Sequence, residues 1–124
     1  MKVLIVDDTE HVREMLADML ELDGFDVVAQ TGSGREAVRL ITSDEASVDV
    51  IVMDYKMHDL DGLSAAKQIR NVKPSQAIIL YTAYLDRELE NEAKEAGVAI
   101  CVGKGDGLTE LERRITQLCR DFSN

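Results

Sequence analysis

Five residues able to do chemistry stand where apolar runs end. Asp7 and Asp8 follow KVLIV (2–6), Asp54 follows VDVIVM (48–53), Thr82 closes AIILYT (77–82), and Lys104 comes just after VAICV (98–102) and Gly103. A buried strand has no structural need for a carboxylate at its tip. If the strands ran in the order 2-1-3-4-5, the first and third would adjoin, and Asp7, Asp8 and Asp54 would converge. Carboxylates that close raise one another's pKa and oppose folding unless a cation compensates. Oxygen ligands without His or Cys suit a hard cation, Mg2+ (or Mn2+). A carboxylate beside such an ion can attack a phosphoryl group in line and become an acyl phosphate. The Thr82 hydroxyl, the Lys104 ammonium and the Ala83 amide are then suitable donors for the charge on the transferring oxygens. Each residue alone has an ordinary use. Asp7 or Asp8 could cap the first helix, with Thr9 competing; Asp54 could be a turn residue, Thr82 a strand former, Lys104 a surface lysine. All five at successive strand ends point to a site.

The elements that must carry them are legible from hydrophobic period. KVLIV is short, β-branched and wholly apolar, as expected of a strand buried on both faces. Val12, Met15, Leu16, Met19 and Leu20 recur at helical spacing and define a helix over about 9–22, stopped at Gly24. DVVAQ (26–30) reads as the second strand. SGRE (33–36) has the capping-box pattern, with Ser33 bonding the Glu36 amide and Glu36 reaching back. It opens a helix carrying Ala37, Val38, Leu40 and Ile41. The third strand is expected at 48–53 and a helix at about 63–71, bearing Leu63, Ala65, Ala66 and Ile69. AIILYT is the fourth strand. Asp86 can cap the helix bearing Leu89, Ala93 and Ala96, which Gly97 ends. VAICV is the fifth strand, and Leu108, Leu111, Ile115, Leu118 and Phe122 line the last helix. Strand–helix alternation five times over implies a parallel sheet covered on both faces, with ligands bound at the carboxyl ends of the strands.

Bulk properties narrow the function further. The 124 residues fit one domain. No apolar run approaches the ~20 residues of a membrane span, and MKVLIVDD is too short for a secretory signal; a cytoplasmic protein is expected. The net charge of −10, from 24 acidic and 14 basic residues, repels phosphate backbones, so direct nucleic-acid binding is not expected. Cys101 and Cys119 lack metal-ligand spacing and read as core-type thiols. GKG at 103–105 fails the phosphate-loop pattern in spacing and in the residue after the lysine.

VLIVDD, VIVMDYKM followed by LDG, ILYTA and VGK, in that order along the whole chain, resemble the receiver domain of bacterial two-component response regulators. The resemblance implies an α/β, doubly wound (βα)5 fold with a five-stranded parallel sheet in the order 2-1-3-4-5, flavodoxin-like/CheY-like, as a single receiver domain over 1–124. It implies that Asp54 accepts a phosphoryl group from a phosphohistidine on a sensor histidine kinase or histidine phosphotransfer protein. Asp8, Asp54 and the Tyr55 backbone carbonyl would bind Mg2+, with Asp7 acting through water, and Thr82, Ala83 and Lys104 would hold the phosphoryl oxygens. Phosphorylation would draw Thr82 inward and rearrange the face formed by helix 4, strand 5 and helix 5 to control a partner. Such a protein catalyses its own phosphorylation and dephosphorylation without turning over an external substrate, and is expected as a monomer or a weak, phosphorylation-dependent dimer.

Four positions depart from the family. Cys101 stands where a switch Tyr or Phe is usual, so output is not expected to run through an aromatic at strand 5; Tyr84 could substitute. Gly105 replaces the usual proline after the lysine, so the Lys104–Gly105 bond is expected to be trans, because a cis bond before a non-proline costs about 2.5–4 kcal/mol. Lys56, two residues after Asp54, is expected to modulate loss of the phosphoryl group. His58 replaces a common proline and reads as a solvated loop residue; His11, on the first helix, reads as a surface residue. An aspartyl hydrolase would want an acid at position 56, and a flavin mononucleotide binder would not place DDTE (7–10) in its phosphate turn. A degenerate receiver used only for protein contacts would lack one of the five residues. A chain that stops after its fifth helix reads as a stand-alone regulator or a phosphorelay shuttle.

Overall fold

In the computed structural model residues 1–123 are described, with side chains through Asp121; the Phe122 side chain, expected on the inner face of the last helix, lies outside the described residues. The strands are β1 (Lys2–Val6), β2 (Asp26–Thr31), β3 (Val50–Met53), β4 (Ala77–Thr82) and β5 (Ile100–Gly103). The helices are α1 (Glu10–Leu22), α2 (Gly34–Thr42), α3 (Gly62–Val72), α4 (Arg87–Glu95) and α5 (Gly107–Ser123), with a 3-10 turn over Lys104–Asp106. All strand pairs are parallel and the order is β2-β1-β3-β4-β5, as the resemblance implies.

Alternation along β1 splits the core into two layers. Val3 and Ile5 pack with Leu16, Leu20, Leu111 and Ile115 under α1 and α5; Leu4 and Val6 pack with Ile41, Ile69, Leu89 and Ala93 under α2, α3 and α4. β1, β3 and β4 are almost wholly apolar because both of their faces are covered. Each fully buried Ile or Leu is worth about 1.5–3 kcal/mol, so the strand tips stand on a stiff base. β2 lies at one edge of the sheet, and its register slips at Val28, which bulges out between Val27 and Ala29.

Element boundaries differ from expectation where long-range contacts decide them. β3 begins at Val50, because Asp49 is occupied by Lys2: its carboxylate accepts the Lys2 N–H at 2.7 Å and its own N–H donates to the Lys2 carbonyl. β5 runs over 100–103 rather than 98–102. Gly97 adopts φ +88°, and the Val98 N–H turns back to the Ala93 carbonyl before the strand can start. α1 starts one residue after Thr9, which sits at the N-cap without a side-chain bond. α3 is longer by a residue at each end, capped by Asp61 through the Ser64 amide. The capping box of α2 is half made. Ser33 accepts the Glu36 N–H at 3.0 Å, but the Glu36 carboxylate pairs with Arg39 instead of reaching back. Asp86 caps α4 through the Leu89 amide, as expected. Among the described residues no peptide bond is cis, the Lys104–Gly105 bond included. Neither Cys101 nor Cys119 is in a disulfide, and no described helix is long and apolar enough to cross a membrane.

Candidate functional site

The site sits at the carboxyl ends of β1, β3, β4 and β5. Val6 of β1 pairs with Met53 of β3, so the next residues, Asp7 and Asp54, emerge side by side. Their backbones are fixed there, since the Asp7 N–H donates to the Thr31 carbonyl at 3.0 Å and the Asp54 N–H to the Val6 carbonyl at 2.9 Å. One oxygen from each of Asp7, Asp8 and Asp54 lies within 4.8 Å of the others. Asp7 is 2% exposed and Asp54 8%.

Lys104 reaches into this group from the other side. Thr82 pairs with Gly103 across β4 and β5, and the following 3-10 turn aims the ammonium inward. It lies 3.0 Å from Asp7 Oδ2 and 3.3 Å from Asp54 Oδ2. The remaining oxygens have local donors: Asp7 Oδ1 accepts the Thr9 N–H at 2.9 Å, and Asp54 Oδ1 the Tyr55 N–H at 2.8 Å. Asp8 is different. Its carboxylate accepts no hydrogen bond among the described residues, and the His58 Nε2 lies 3.5 Å from it.

The electrostatics follow from burial and charge. Burial, reinforced by the Asp7 charge, pushes the Asp54 carboxyl above the usual carboxylate value; Lys104 pulls it part of the way back. For Lys104 burial works against the charged form, but Asp7 and Asp54 outweigh it and hold the pKa up. Three carboxylates against one ammonium leave two negative charges in the pocket. A divalent cation with oxygen ligands fits that deficit. The Tyr55 carbonyl accepts the Gly62 N–H at 2.7 Å, which leaves one lone pair for such an ion.

The other residues singled out lie around the rim. Thr82 is fully buried, and its Oγ1 accepts the Tyr84 N–H at 3.1 Å. Ala83 is exposed beside it and lines an open notch with Thr82, Gly103 and Gly105. The Lys56 ammonium neither pairs with an acid nor turns toward Asp54; it lies over the Tyr84 ring, 4.2 Å from its centre. Tyr84 is 56% exposed. Cys101 is half-buried in β5 opposite Leu80, packed on the α2–α4 layer, where burial pushes its thiol up. It carries no arm toward Thr82. His11 is exposed on α1.

Sequence reasoning missed the groups that hold the loop between β3 and α3. The Asp59 carboxylate accepts the Ser33 hydroxyl at 2.5 Å, the Gly34 N–H at 3.1 Å, the Arg35 N–H at 3.2 Å and the Leu60 N–H at 2.8 Å. This ties the loop to the N-terminus of α2 and lowers the Asp59 pKa to about 2, chiefly through the Ser33 hydroxyl. Arg13 braces the other side, donating to the Asp7 carbonyl at 2.6 Å. Gly62 lets α3 start directly under Asp54: a Cβ there would lie 2.2 Å from the Asp54 carbonyl oxygen. LDG hinted at the α3 cap, but Asp59 is joined to residues more than twenty positions away, which no local pattern reveals.

The chain has clear relatives. A family profile described as the response regulator receiver domain matches residues 3–116. Transcriptional regulatory protein PdtaR of Mycobacterium tuberculosis is 34% identical over 110 residues, which are 89% of this chain and 52% of that protein. Chemotaxis protein CheY of Bacillus subtilis is 35% identical over 96 residues, covering 77% of this chain and 78% of CheY. The crystal structure of a two-component response regulator of the LuxR family from Aurantimonas sp. SI85-9A1 superposes with a TM-score of 0.88 at 30% identity, covering 94% of this chain and 83% of that one. The chain spans about half the length of PdtaR.

Proposed function

Because the chain belongs to the response regulator receiver domain family, we propose that residues 1–124 act as one receiver unit in which Asp54 is the phosphoacceptor. The observation that carries this reading is the gathering of three carboxylates with a single lysine, two positive charges short of neutrality, at the tips of β1, β3 and β5. Asp8 and Asp54 would hold Mg2+ (or Mn2+), with the second lone pair of the Tyr55 carbonyl, while Asp7 acts through water. When bound, the ion supplies the positive charge that lets an anionic carboxylate approach an anionic phosphoryl group.

An oxygen of Asp54 attacks the phosphorus of a phosphohistidine in line, on a sensor histidine kinase or a histidine phosphotransfer protein. The P–N bond breaks, the imidazole nitrogen leaves with the bond's electron pair and takes a proton, and an aspartyl phosphate remains. Lys104, held a salt-bridge distance from Asp54, turns its ammonium to a phosphoryl oxygen. Thr82 Oγ and the Ala83 N–H donate to the others. To do so Thr82 must reorient the hydroxyl that now accepts from Tyr84, and this couples the phosphoryl group to the loop leading into α4.

The output is a two-state equilibrium of the α4–β5–α5 face, in which each tenfold shift takes about 1.4 kcal/mol of differential stabilisation. With Cys101 on β5, that shift runs through the β4–α4 loop and Tyr84 rather than through an aromatic on the fifth strand. Activated-state partner binding unchanged in Cys101→Tyr but abolished in Cys101→Ala would refute this. The protein works in the cytoplasm and regulates a partner or an output domain. Beryllofluoride with Mg2+ tests the site. Amide shifts at Asp54, Thr82, Ala83 and Lys104 are expected in the wild type and not in Asp54→Asn; a wild-type spectrum that does not move would refute the proposal.

A further inference from the structure

We propose that His58 is a nitrogen ligand of the cation pocket, which makes the site favour first-row transition ions, Mn2+ included, over Mg2+. This rests on the cation-binding role given to Asp7, Asp8 and Asp54.

Three observations carry it. Asp8 is the open carboxylate: Asp7 and Asp54 are engaged by Lys104 and by backbone amides, whereas Asp8 faces His58. The His58 Nε2 lies 3.5 Å from Asp8 Oδ2, close to the about 3 Å that separates two adjacent ligands, each about 2.1 Å from one ion. The ring is 95% exposed, so a change of side-chain torsion closes the gap without opening the core. Its backbone, in contrast, is anchored. Asp59, the next residue, is fastened to the start of α2 by three hydrogen bonds from Ser33, Gly34 and Arg35, and Asp54 begins the same loop from the fixed end of β3.

The chemistry gives the choice of metal. Imidazole nitrogen adds little for Mg2+, which prefers oxygen and keeps its waters, whereas first-row divalent ions accept it, modestly at Mn2+ and increasingly toward Cu2+. A neutral donor also leaves the charge balance intact, since the dication alone cancels the two excess negative charges.

The test is Mn2+ binding read by pulsed electron paramagnetic resonance on untagged protein. The chain has two histidines, His11 and His58, so a directly bound 14N has two possible origins. The expected result is 14N coupling in the wild type and in His11→Ala, lost in His58→Ala, together with Mn2+ binding weakened at least about tenfold by His58→Ala while Mg2+ binding is unchanged; loss of an outer-sphere partner alone costs about 10–100-fold. Mn2+ bound tightly without 14N coupling would overturn the assignment and leave the oxygen site standing. Failure of Mn2+ to bind, in a protein whose amide spectrum shows it folded, would overturn this inference and the cation-binding role together.

Discussion

Replacing Lys104 by Met keeps most of the stem and removes the charge, and so asks what holds the acidic pocket together without a metal. At the effective dielectric of about 20 suited to such sites, contacts of 3.0 and 3.3 Å are each worth roughly 5 kcal/mol of gross attraction. Desolvation of the ammonium and both carboxylates offsets most of this. Removing one member of a fully buried pair costs about 3–5 kcal/mol; with Lys104 24% exposed, about 2–3 kcal/mol is the appropriate scale. For a chain of this size each kcal/mol moves the melting temperature by about 3–6 °C, so Lys104→Met in chelator at pH 7 is expected to melt roughly 6–18 °C below wild type. Two further readings separate an electrostatic cause from lost packing. Saturating Mg2+ should recover most of the deficit, since ligand at a hundred times its Kd adds about 2.7 kcal/mol. The deficit should also shrink as pH falls and the carboxylates take up protons. A melting point within 1 °C of wild type in chelator, or a large deficit indifferent to both Mg2+ and pH, would refute the reasoning.

Burial and Asp7 raise the Asp54 pKa above its unfolded value, so its ionised form opposes folding at neutral pH. Asp54→Asn should therefore stabilise the metal-free protein by on the order of 1 kcal/mol at pH 7, with the gain fading below about pH 4; thermal unfolding at both pH values decides it. Asp59, whose pKa is lowered to about 2, contributes stability that is present above its unfolded value near 4 and lost as pH falls toward 2. Asp59→Ala should cost about 0.5–2 kcal/mol at pH 7 in denaturant melts, as loss of a helix cap does, with little difference from wild type near pH 2. Lys56→Ala should shorten the lifetime of phospho-Asp54 by about two- to fivefold, the scale of one exposed cation–π contact diverted to the phosphate; identical decay of mutant and wild type would count against it.

The sheet order was legible through the resemblance of the motifs, and two local features agree with it: β1, β3 and β4 are almost wholly apolar, and the acids stand at the tips of β1 and β3, which adjoin. Asp7, Asp8, Asp54, Thr82 and Lys104 were legible because strand ends are a local property, and adjacency then follows from topology. What escaped notice depends on partners distant in sequence. Asp59 reads as one more acid in an acidic loop until α2 comes to lie beside it. Lys56 lies far along the chain from Tyr84, and their stacking follows from the closeness of two loops. His58 reads as a solvated residue, and it is exposed, but its neighbour is the least engaged carboxylate of the pocket. The starts of β3 and β5 shifted because Asp49 and Val98 answer to contacts with Lys2 and Ala93.

Intact mass after incubation with acetyl phosphate and Mg2+ addresses the central claim most directly. Wild-type protein is expected to gain the mass of one phosphoryl group, labile to base, and to gain none in chelator; Asp54→Asn is expected to gain none in either. A full adduct on Asp54→Asn, or an adduct on the wild type indifferent to chelation of the metal, would contradict phosphoryl transfer to a metal-assisted Asp54.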